Sequence, residues 1–367
     1  MAMGSWQLEE LERAFADAAL DPTGWNRAMN TAASVTGAAG AVLLPITGAQ
    51  IPEVPCSDRT GEANEAYFRE RWYEQDERSK GIPLLMKNGL VDDLDLFNER
   101  YINRHPYYQD FLTPFGFRWF AGVRVAFGDD VWCLSIQRTI AQGPFAQSQK
   151  QKLLRLSQTL SASAALAKAI GFAASGATLD ALEASGSAAI LIDRQGDVFQ
   201  MNRSAELMLK REVRVVNRRL VAQDARSTAA FDRALHDLIW RRSDAALEPP
   251  VVLNRAGQYP LLAYLVKPSG WAANALADCK AIAILVEVGA RSRVPEKTLR
   301  SVFDLTDAEA RLAVRLGSGQ ALEDIAKELG LTKETVRSHL KSVFSKTNTH
   351  RQGDLVSLLS PLGIGRK

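Results

Sequence analysis

The last seventy residues constrain this chain most: their caps, glycines and apolar spacing admit only short helices packed on one another. The spacing predicts a helix from Lys333 to Lys346, with Thr332 as its N-cap after the turn Gly330-Leu331. Val336, Leu340 and Val343 recur at i, i+4 and i+7, which turns one apolar stripe inward. Lys333, Arg337 and Lys341 recur every four residues and share a different face. A helix with one apolar and one cationic face, following a short helix and a tight turn, has what entry into a DNA major groove requires.

The surrounding punctuation agrees. Thr306 and Glu309 form a capping-box pattern for a helix carrying Ala310, Ala313, Val314 and Leu316, which Gly317-Ser318-Gly319 stops. The next helix, Leu322 to Leu329, ends at Gly330, a residue free to take the left-handed cap. Asn348 stands where the long helix needs another left-handed residue. Thr349-x-x-Gln352 reads as a second capping box. It opens a final helix with Leu355, Val356, Leu358 and Leu359, apolar enough to bury against something beyond its own unit.

On Leu305-Thr306, Glu309, Gly319, Ile325-Ala326, Leu329, Thr335-Val336-x-x-His339 and Lys346-Thr347-Asn348-Thr349-x-x-Gln352, the segment 298–367 resembles the LuxR-type (NarL-type) helix-turn-helix family. The resemblance implies an all-α tetrahelical domain. It puts Arg337, Ser338 and Lys341 toward the groove, Lys333 and Thr335 on phosphates, and Leu355, Leu358 and Leu359 in a DNA-domain dimer. The partners it implies are a pseudo-palindromic duplex operator, a second copy of the chain and RNA polymerase. Two positions depart from the family: Ala321 replaces the usual Ser or Thr cap, and Asn348 the usual Gly. The bland alternative, a merely solvated cationic face, explains any one of the bases but not their order with the caps. His339, beside the apolar stripe, suits packing or a phosphate contact. Ser338-x-x-Lys341 formally matches a penicillin-binding motif but has no supporting partners.

Charge places the nucleic-acid chemistry locally. The chain has 45 Lys and Arg against 42 Asp and Glu, a net +3, so it is no general polycation. From Leu331 to Arg351, however, five bases face the single acid Glu334. Cys56, Cys133 and Cys279 form no CxxC and no metal spacing, which suits a reducing cytoplasm. With four histidines, no nucleophile elbow and no phosphate loop, neither an enzyme, a metal nor a cofactor is expected. Glu9, Glu10 and Glu12 occupy the place of a signal-peptide core. The run 162–174 is too short, alanine-rich and interrupted by Lys168 to suggest a membrane span. Asp92-Asp93 lacks the setting of a phosphorylated receiver site.

The whole reads as a multidomain α+β chain. Residues 177–290 are strand-rich, with strands expected at Ala188–Asp193, Val198–Met201, Pro250–Asn254, Tyr259–Lys267 and Lys280–Val288, a helix capped by Asn202, and a hairpin at Arg255–Gln258. Through Asp193-x-x-Gly196 and Asn202-x-x-Ala205 this stretch resembles a PAS-like α/β domain. Residues 1–148 open with an amphipathic helix (Leu8, Leu11, Phe15), an Asp21-Pro22 cap, a helix with Trp25 and Met29, and a strand from Ala38 to Pro45. The run Ala18-Ala19-Leu20-Asp21-Pro22-x-x-Trp25 resembles the sensor region of long LuxR-type regulators, which implies a GAF-like α/β/α sandwich related to autoinducer-binding domains. Between them, residues 149–176 carry the seam Leu153, Leu156, Leu160, Ser163, Ala167 and Ile170, expected as a linker helix in dimer contact.

Rings concentrate in the N-terminal part. Thirteen of the twenty-eight aromatic residues lie between Tyr67 and Phe120, where even spreading would put about four. Rings form the walls of pockets for apolar or aromatic molecules, and a few polar groups orient the ligand. The expected ligand site is Tyr67, Trp72, Tyr73, Asp76, Arg78 and Trp119; the competing reading is that these rings fill a core. Tyr67 nine residues before Asp76 resembles the autoinducer-binding motif, but Ala63 stands where that family keeps a Trp and Glu77 where it keeps a Pro. The small apolar or aromatic effector therefore competes with an acyl-homoserine lactone, and both compete with a ligand-free assembly scaffold.

Overall fold

The computed structural model describes residues 6–49, 51–210, 212–240, 248–288 and 296–359. Leu8, Leu11 and Phe15 drive α1 (Leu8–Leu20), and the Asp21 carboxylate accepts from Thr23 N at the turn into α2 (Trp25–Thr36), as the Asp-Pro pair predicts. The chain then runs through β1 (Gly40–Pro45), α3 (Gly61–Arg69), α4 (Ile82–Asn88), β2 (Leu90–Asp92), α5 (Asp93–Leu96) and α6 (Glu99–Ile102). A π-helical turn (Tyr107–Leu112) leads to β3 (Trp119–Phe127) and β4 (Asp130–Arg138). The four strands pair antiparallel in the order β1-β4-β3-β2. Alternation assigns their faces. Ala41, Leu43, Val123, Val125, Trp132, Leu134 and Ile136 join α1 and α2 in one core. Val42, Leu44, Phe120, Cys133, Ser135 and Gln137 line a cavity on the other side, roofed by α3 and the π-turn. The result is three layers, helix, sheet and helix.

A 38-residue helix, α7 (Gln147–Ala184), follows. Leu153, Leu156, Leu160, Ser163 and Ala167 are buried, and the apolar ones belong to the first core. Ser157 Oγ donates to the carbonyl of Arg124 at 2.6 Å and Ser161 Oγ accepts from Ala126 N at 2.9 Å, so the seam is stitched to β3. The expectation that this stripe meets a second copy is thus corrected: the chain's own sheet consumes it. Farther along, Leu179 and Leu182 pack on Ala189 and Leu191 of the next sheet, making α7 a spine shared by both. Gly171 is small by need, since a Cβ there would come within 2.5 Å of Ala277. Although α7 is long and apolar enough to cross a membrane by length and composition, its inner stripe packs on the two sheets.

The next unit comprises β5 (Ala188–Ile192), β6 (Val198–Met201), α8 (Arg203–Met208), β7 (Val213–Val216), β8 (Arg219–Ala222), α9 (Ala225–Trp240), β9 (Val251–Leu253), β10 (Leu261–Val266) and β11 (Ala281–Glu287). Five of its strands form an antiparallel sheet, β6-β5-β11-β10-β9, and β7 pairs with β8. Asn202 caps α8 by accepting from Ala205 N at 3.0 Å, and Gly257 takes φ +67° in the β9–β10 hairpin. The β7–β8 ribbon and α9 lie between the strands legible in the sequence. Phe231, Leu235 and Ile239 of α9 cover one face of the sheet.

The last unit holds α10 (Glu296–Phe303), α11 (Asp307–Gly317), α12 (Leu322–Leu329), α13 (Lys333–Thr347) and α14 (Gln352–Leu359) around Leu299, Leu312, Leu316, Ile325, Val336 and Val343. The Thr306–Glu309 capping box, the Thr332 cap and left-handed Gly330 and Asn348 are all present. The second expected capping box is not. The Thr349 hydroxyl shares a hydrogen bond with Thr347 instead, and Asp354 accepts from His350 N.

Candidate functional site

Two places in the molecule gather chemistry, one exposed and one enclosed. The exposed one is the outer face of α13. Arg337, Ser338 and Lys341 are exposed, and among the described residues no carboxylate lies within ion-pair distance of either base. Lys333 is exposed as well and reaches Glu323 only at 3.7 Å. Thr335, half-buried, shares a hydrogen bond with Thr332 at the start of the helix.

What holds this face in place is a buried acid on α11. The Glu309 carboxylate accepts from Thr306 N at 2.7 Å, Ser342 Oγ at 2.6 Å and Lys346 Nζ at 2.9 Å. Burial works against its charge. The bonds from Ser342, Lys346 and Thr306 win, bringing its pKa down to about 2. Glu309 thus clamps α13 to α11 through α13's own polar residues. The sequence shows its capping role, but only the fold brings Ser342 and Lys346 to it.

Leu355 and Leu359 do not form the expected free surface. Both are buried in the unit's own core, where Leu359 packs over Gly317; Leu358 is half-buried. Helix α11 supplies the cover that the sequence did not reveal.

The other place, enclosed between two layers of the fold but still partly open to solvent, is the cavity between the first sheet and the α3/π-turn layer, about 170 Å³ in volume. Four of the six residues expected at a ligand site, Tyr67, Tyr73, Asp76 and Arg78, line it. Tyr67 Oη donates to Asp76 Oδ2 at 2.9 Å, so the nine-residue spacing becomes a direct bond. Burial pushes the Asp76 carboxyl above the usual carboxylate range, against the pull of Tyr107, Arg78 and Tyr67. Burial next to Asp76 likewise raises the Tyr67 hydroxyl, which stays protonated and serves as a donor.

Arg78 is not the free anchor expected. Its Nε and Nη2 grip both oxygens of Asp93 at 3.0 and 3.1 Å, its Nη1 donates to Gln137 at 2.9 Å, and Phe120 lies 4.3 Å below the guanidinium. Asp93 also accepts from Tyr108 Oη and Phe120 N, at 2.7 and 2.8 Å. Burial disfavours the arginine's charge, but Asp93 holds it protonated. This network fixes the cavity floor.

Trp72 and Trp119 do not reach the cavity. Trp72 stacks on Phe111 at 5.3 Å, and Trp119 is buried among Ile102, Tyr107, Phe117 and their neighbours. For these two, core filling is the correct reading. The lining residues missed come from the π-turn, among them Tyr107 and Phe111, from α3 and α4, and from the sheet. Cys133, Ser135 and Gln137 alternate with Trp132, Leu134 and Ile136, a period-two signal for a strand with one half-polar face. The Cys133 thiol, pushed up to about 12 by burial, is unreactive.

Comparison with known proteins identifies the exposed site. Residues 304–359 match the family of bacterial regulatory proteins of the luxR type, GerE. The chain therefore carries a LuxR-type helix-turn-helix DNA-binding domain at its C-terminal end. No curated protein is similar to the chain. Among solved structures, the N-acylhomoserine lactone dependent LuxR family transcription factor CepR2 from Burkholderia cenocepacia is 16% identical at a TM-score of 0.32, over 43% of this chain and 92% of that one. SdiA from Escherichia coli is 11% identical at 0.32, over 98% of this chain and 100% of its own. The VqsR LBD domain from Pseudomonas aeruginosa is 14% identical at 0.31, over 42% of this chain and 97% of that one. At these TM-scores the structural likenesses carry no argument about fold or ligand.

Proposed function

We propose that this chain is a ligand-responsive, sequence-specific transcriptional regulator that dimerises on a pseudo-palindromic operator and acts with RNA polymerase in the cytoplasm. The observation that carries the reading is the outer face of α13. Arg337 and Lys341 stand exposed, with no carboxylate partner among the described residues, on a helix capped at both ends and clamped by Glu309, within the segment that matches the luxR family. Protein charge left without a protein partner on a rigid helix is charge available to DNA. Arg337, Ser338 and Lys341 read bases, while Lys333 and Thr335 hold phosphates. Leu358, half-buried on α14, is the remaining candidate of the three leucines for DNA-domain pairing.

The effector is a small apolar or aromatic molecule held in the enclosed cavity, with Tyr67, Asp76, Ser135 and Gln137 orienting it. A cavity of about 150 Å³ takes a benzene ring, so the 170 Å³ here suits one ring or a short chain. The helix–sheet–helix layering supports a GAF-like sensor at 1–148, and the sheet order β6-β5-β11-β10-β9 a PAS-like unit at 177–290. Rings join the two. Tyr73, on the cavity wall, meets Trp240 of α9 at 6.1 Å, and Phe68, packed behind it on Tyr67 and Tyr73, meets Trp240 at 5.8 Å, so displacement of that wall bears on the second unit. An acyl-homoserine lactone is the second reading, favoured by the Tyr67–Asp76 bond and opposed by Ala63, Glu77 and the cavity's size.

Two measurements test this. Selection of bound fragments from random DNA should yield a symmetric motif, and binding with no sequence preference at physiological salt overturns the regulator reading. Mass spectrometry of small molecules released from the purified chain should find a ring-sized compound that raises the melting temperature when added back. Protein shown to be empty, and unmoved by phenols, aromatic acids, steroids and acyl lactones, would leave the scaffold reading in its place.

A further inference from the structure

A second cleft lies between the first unit and the β-rich one, bounded by the α1–α2 turn, the stretch after β1, and the segment that leads into β11. It is larger than the enclosed cavity, about 370 Å³, and shares no lining residue with it. Trp25, Ile51, Val54 and Pro268 give it apolar walls, and Lys280 enters it from the β-rich unit. The units are fastened on either side, by Trp25 Nε1 donating to Asn274 Oδ1 at 3.1 Å and by the Lys267–Glu53 pair at 2.9 Å.

Lys280 is the anomaly. Its ammonium donates to two backbone carbonyls, Ala275 at 2.8 Å and Asn274 at 3.4 Å, and among the described residues no carboxylate pairs with it. The acids nearest to it in charge are already engaged: Asp278 with Lys168 at 3.1 Å, and Glu53 with Lys267. Arg194 adds further positive potential, and the fully buried Asn274 carries an Nδ2 with no acceptor. The segment from Asn274 to Lys280 thus has donors and positive charge in excess of what the protein satisfies. Lys280 is half-buried, and a charge partly withdrawn from water with no carboxylate beside it gains from an anion that completes it.

We propose that this cleft binds a small monocarboxylate with an apolar body, its carboxylate on Lys280 and its body against Trp25, Ile51 and Val54. One unpaired cation calls for one negative charge, and the walls favour a carbon skeleton over a mineral ion. Occupancy would bridge both sensor units, which makes the cleft a second input, separate from the enclosed cavity. The pKa of Lys280 supports this: burial first and the nearby Arg194 second bring it down to about 8, with Cys279, Asp278 and Glu53 only partly offsetting them. An anion that needs the protonated amine therefore binds less well as pH rises past that value.

Titration calorimetry on the full chain with benzoate, benzamide and inorganic phosphate tests the proposal. Benzoate should bind more tightly than either of the others. Its affinity should fall on the order of ten-fold from about pH 7 to about pH 9. Lys280→Met, which removes a half-buried charge and keeps the stem, should melt no lower than the parent and lose benzoate binding at least ten-fold. Equal binding of neutral benzamide, tighter binding of phosphate, no binding of benzoate, or unchanged affinity in Lys280→Met would each overturn it. Because the first cavity also admits a ring, the cleft is read from the binding that the Lys280 variant loses, and Lys280→Gln gives the same reading if Lys280→Met fails to fold. Because Lys280 does not touch the enclosed cavity, an empty cavity there would leave this result unaffected.

Discussion

Arg78 and Arg337 put the same side chain to opposite uses. Arg78 is buried, gripped by both oxygens of Asp93, bonded to Gln137 and laid on Phe120. Arg337 is exposed and has no carboxylate near it among the described residues. In the first unit the fold uses its own charge to set the shape of a cavity. In the last, the fold uses its polar residues for caps and for the Glu309 clamp, and among the described residues Arg337 and Lys341 of α13 have no carboxylate partner. A satisfied charge builds structure, whereas an exposed and unsatisfied one on a rigid element is offered to a partner.

The largest expected effects test the buried half of that contrast. Asp93→Ala strands Arg78 without its partner, and should destabilise the first unit by about 3–5 kcal/mol. Trp119→Ala should cost about the same by opening a void in a ring-packed core. Both are read by denaturant unfolding of the full chain. If either is neutral, the residue is not the core element its burial indicates. A large ligand dependence lost with Trp119→Ala would return that ring to the effector site.

The same contrast explains what could be read from the sequence. The C-terminal unit is written in local code. Thr306 and Glu309, Gly330, Thr332 and Asn348 each act within a few residues, so caps, turns and faces were all legible. The burial of Leu355 and Leu359 was not, because their cover comes from α11 nearly forty residues earlier. The enclosed cavity is tertiary throughout. The Tyr67–Asp76 spacing was visible as a pattern, but Arg78 meets Asp93 and Gln137 only after β2, β3 and β4 assemble. Ring density located the right segment and could not separate Tyr73, on the wall, from Trp119, in the core. The seam of α7 failed for a related reason: an apolar stripe on a helix has the same period whether a sheet or a second copy covers it.

Between these extremes stands Glu309, a buried acid whose bonds orient an exposed surface. Its pKa in the folded protein, about 2, lies below the ordinary 4.5. The stabilisation is therefore complete above the ordinary value and is lost as pH falls through the folded one. At about 1.4 kcal/mol for each pH step it should amount to roughly 3 kcal/mol. Acid unfolding of the C-terminal helices, followed by circular dichroism, should steepen between about pH 4.5 and pH 2 in the parent chain. Glu309→Gln should remove that dependence and loosen specific DNA binding without touching a DNA-facing residue. A variant that unfolds in acid just as the parent does would show that the clamp carries no weight.

The smallest effects separate the bases of α13 from one another. Arg337 lies on the helix face expected to enter the groove. Arg337→Ala should cost about 1–3 kcal/mol on the selected operator and little on random DNA, because a base contact is lost only where the right base is present. Lys333 sits at the start of the helix, where the expected contact is a phosphate. Lys333→Ala should weaken binding to every sequence alike and reduce the salt slope of log affinity by about one. The 3.7 Å approach to Glu323 does not compete, since both side chains are well exposed and such a pair is worth little in water. Equal losses on operator and random DNA for Arg337→Ala would make it a phosphate contact. Unchanged affinity in both variants would move the DNA-reading surface off this face of α13 and end the contrast with Arg78.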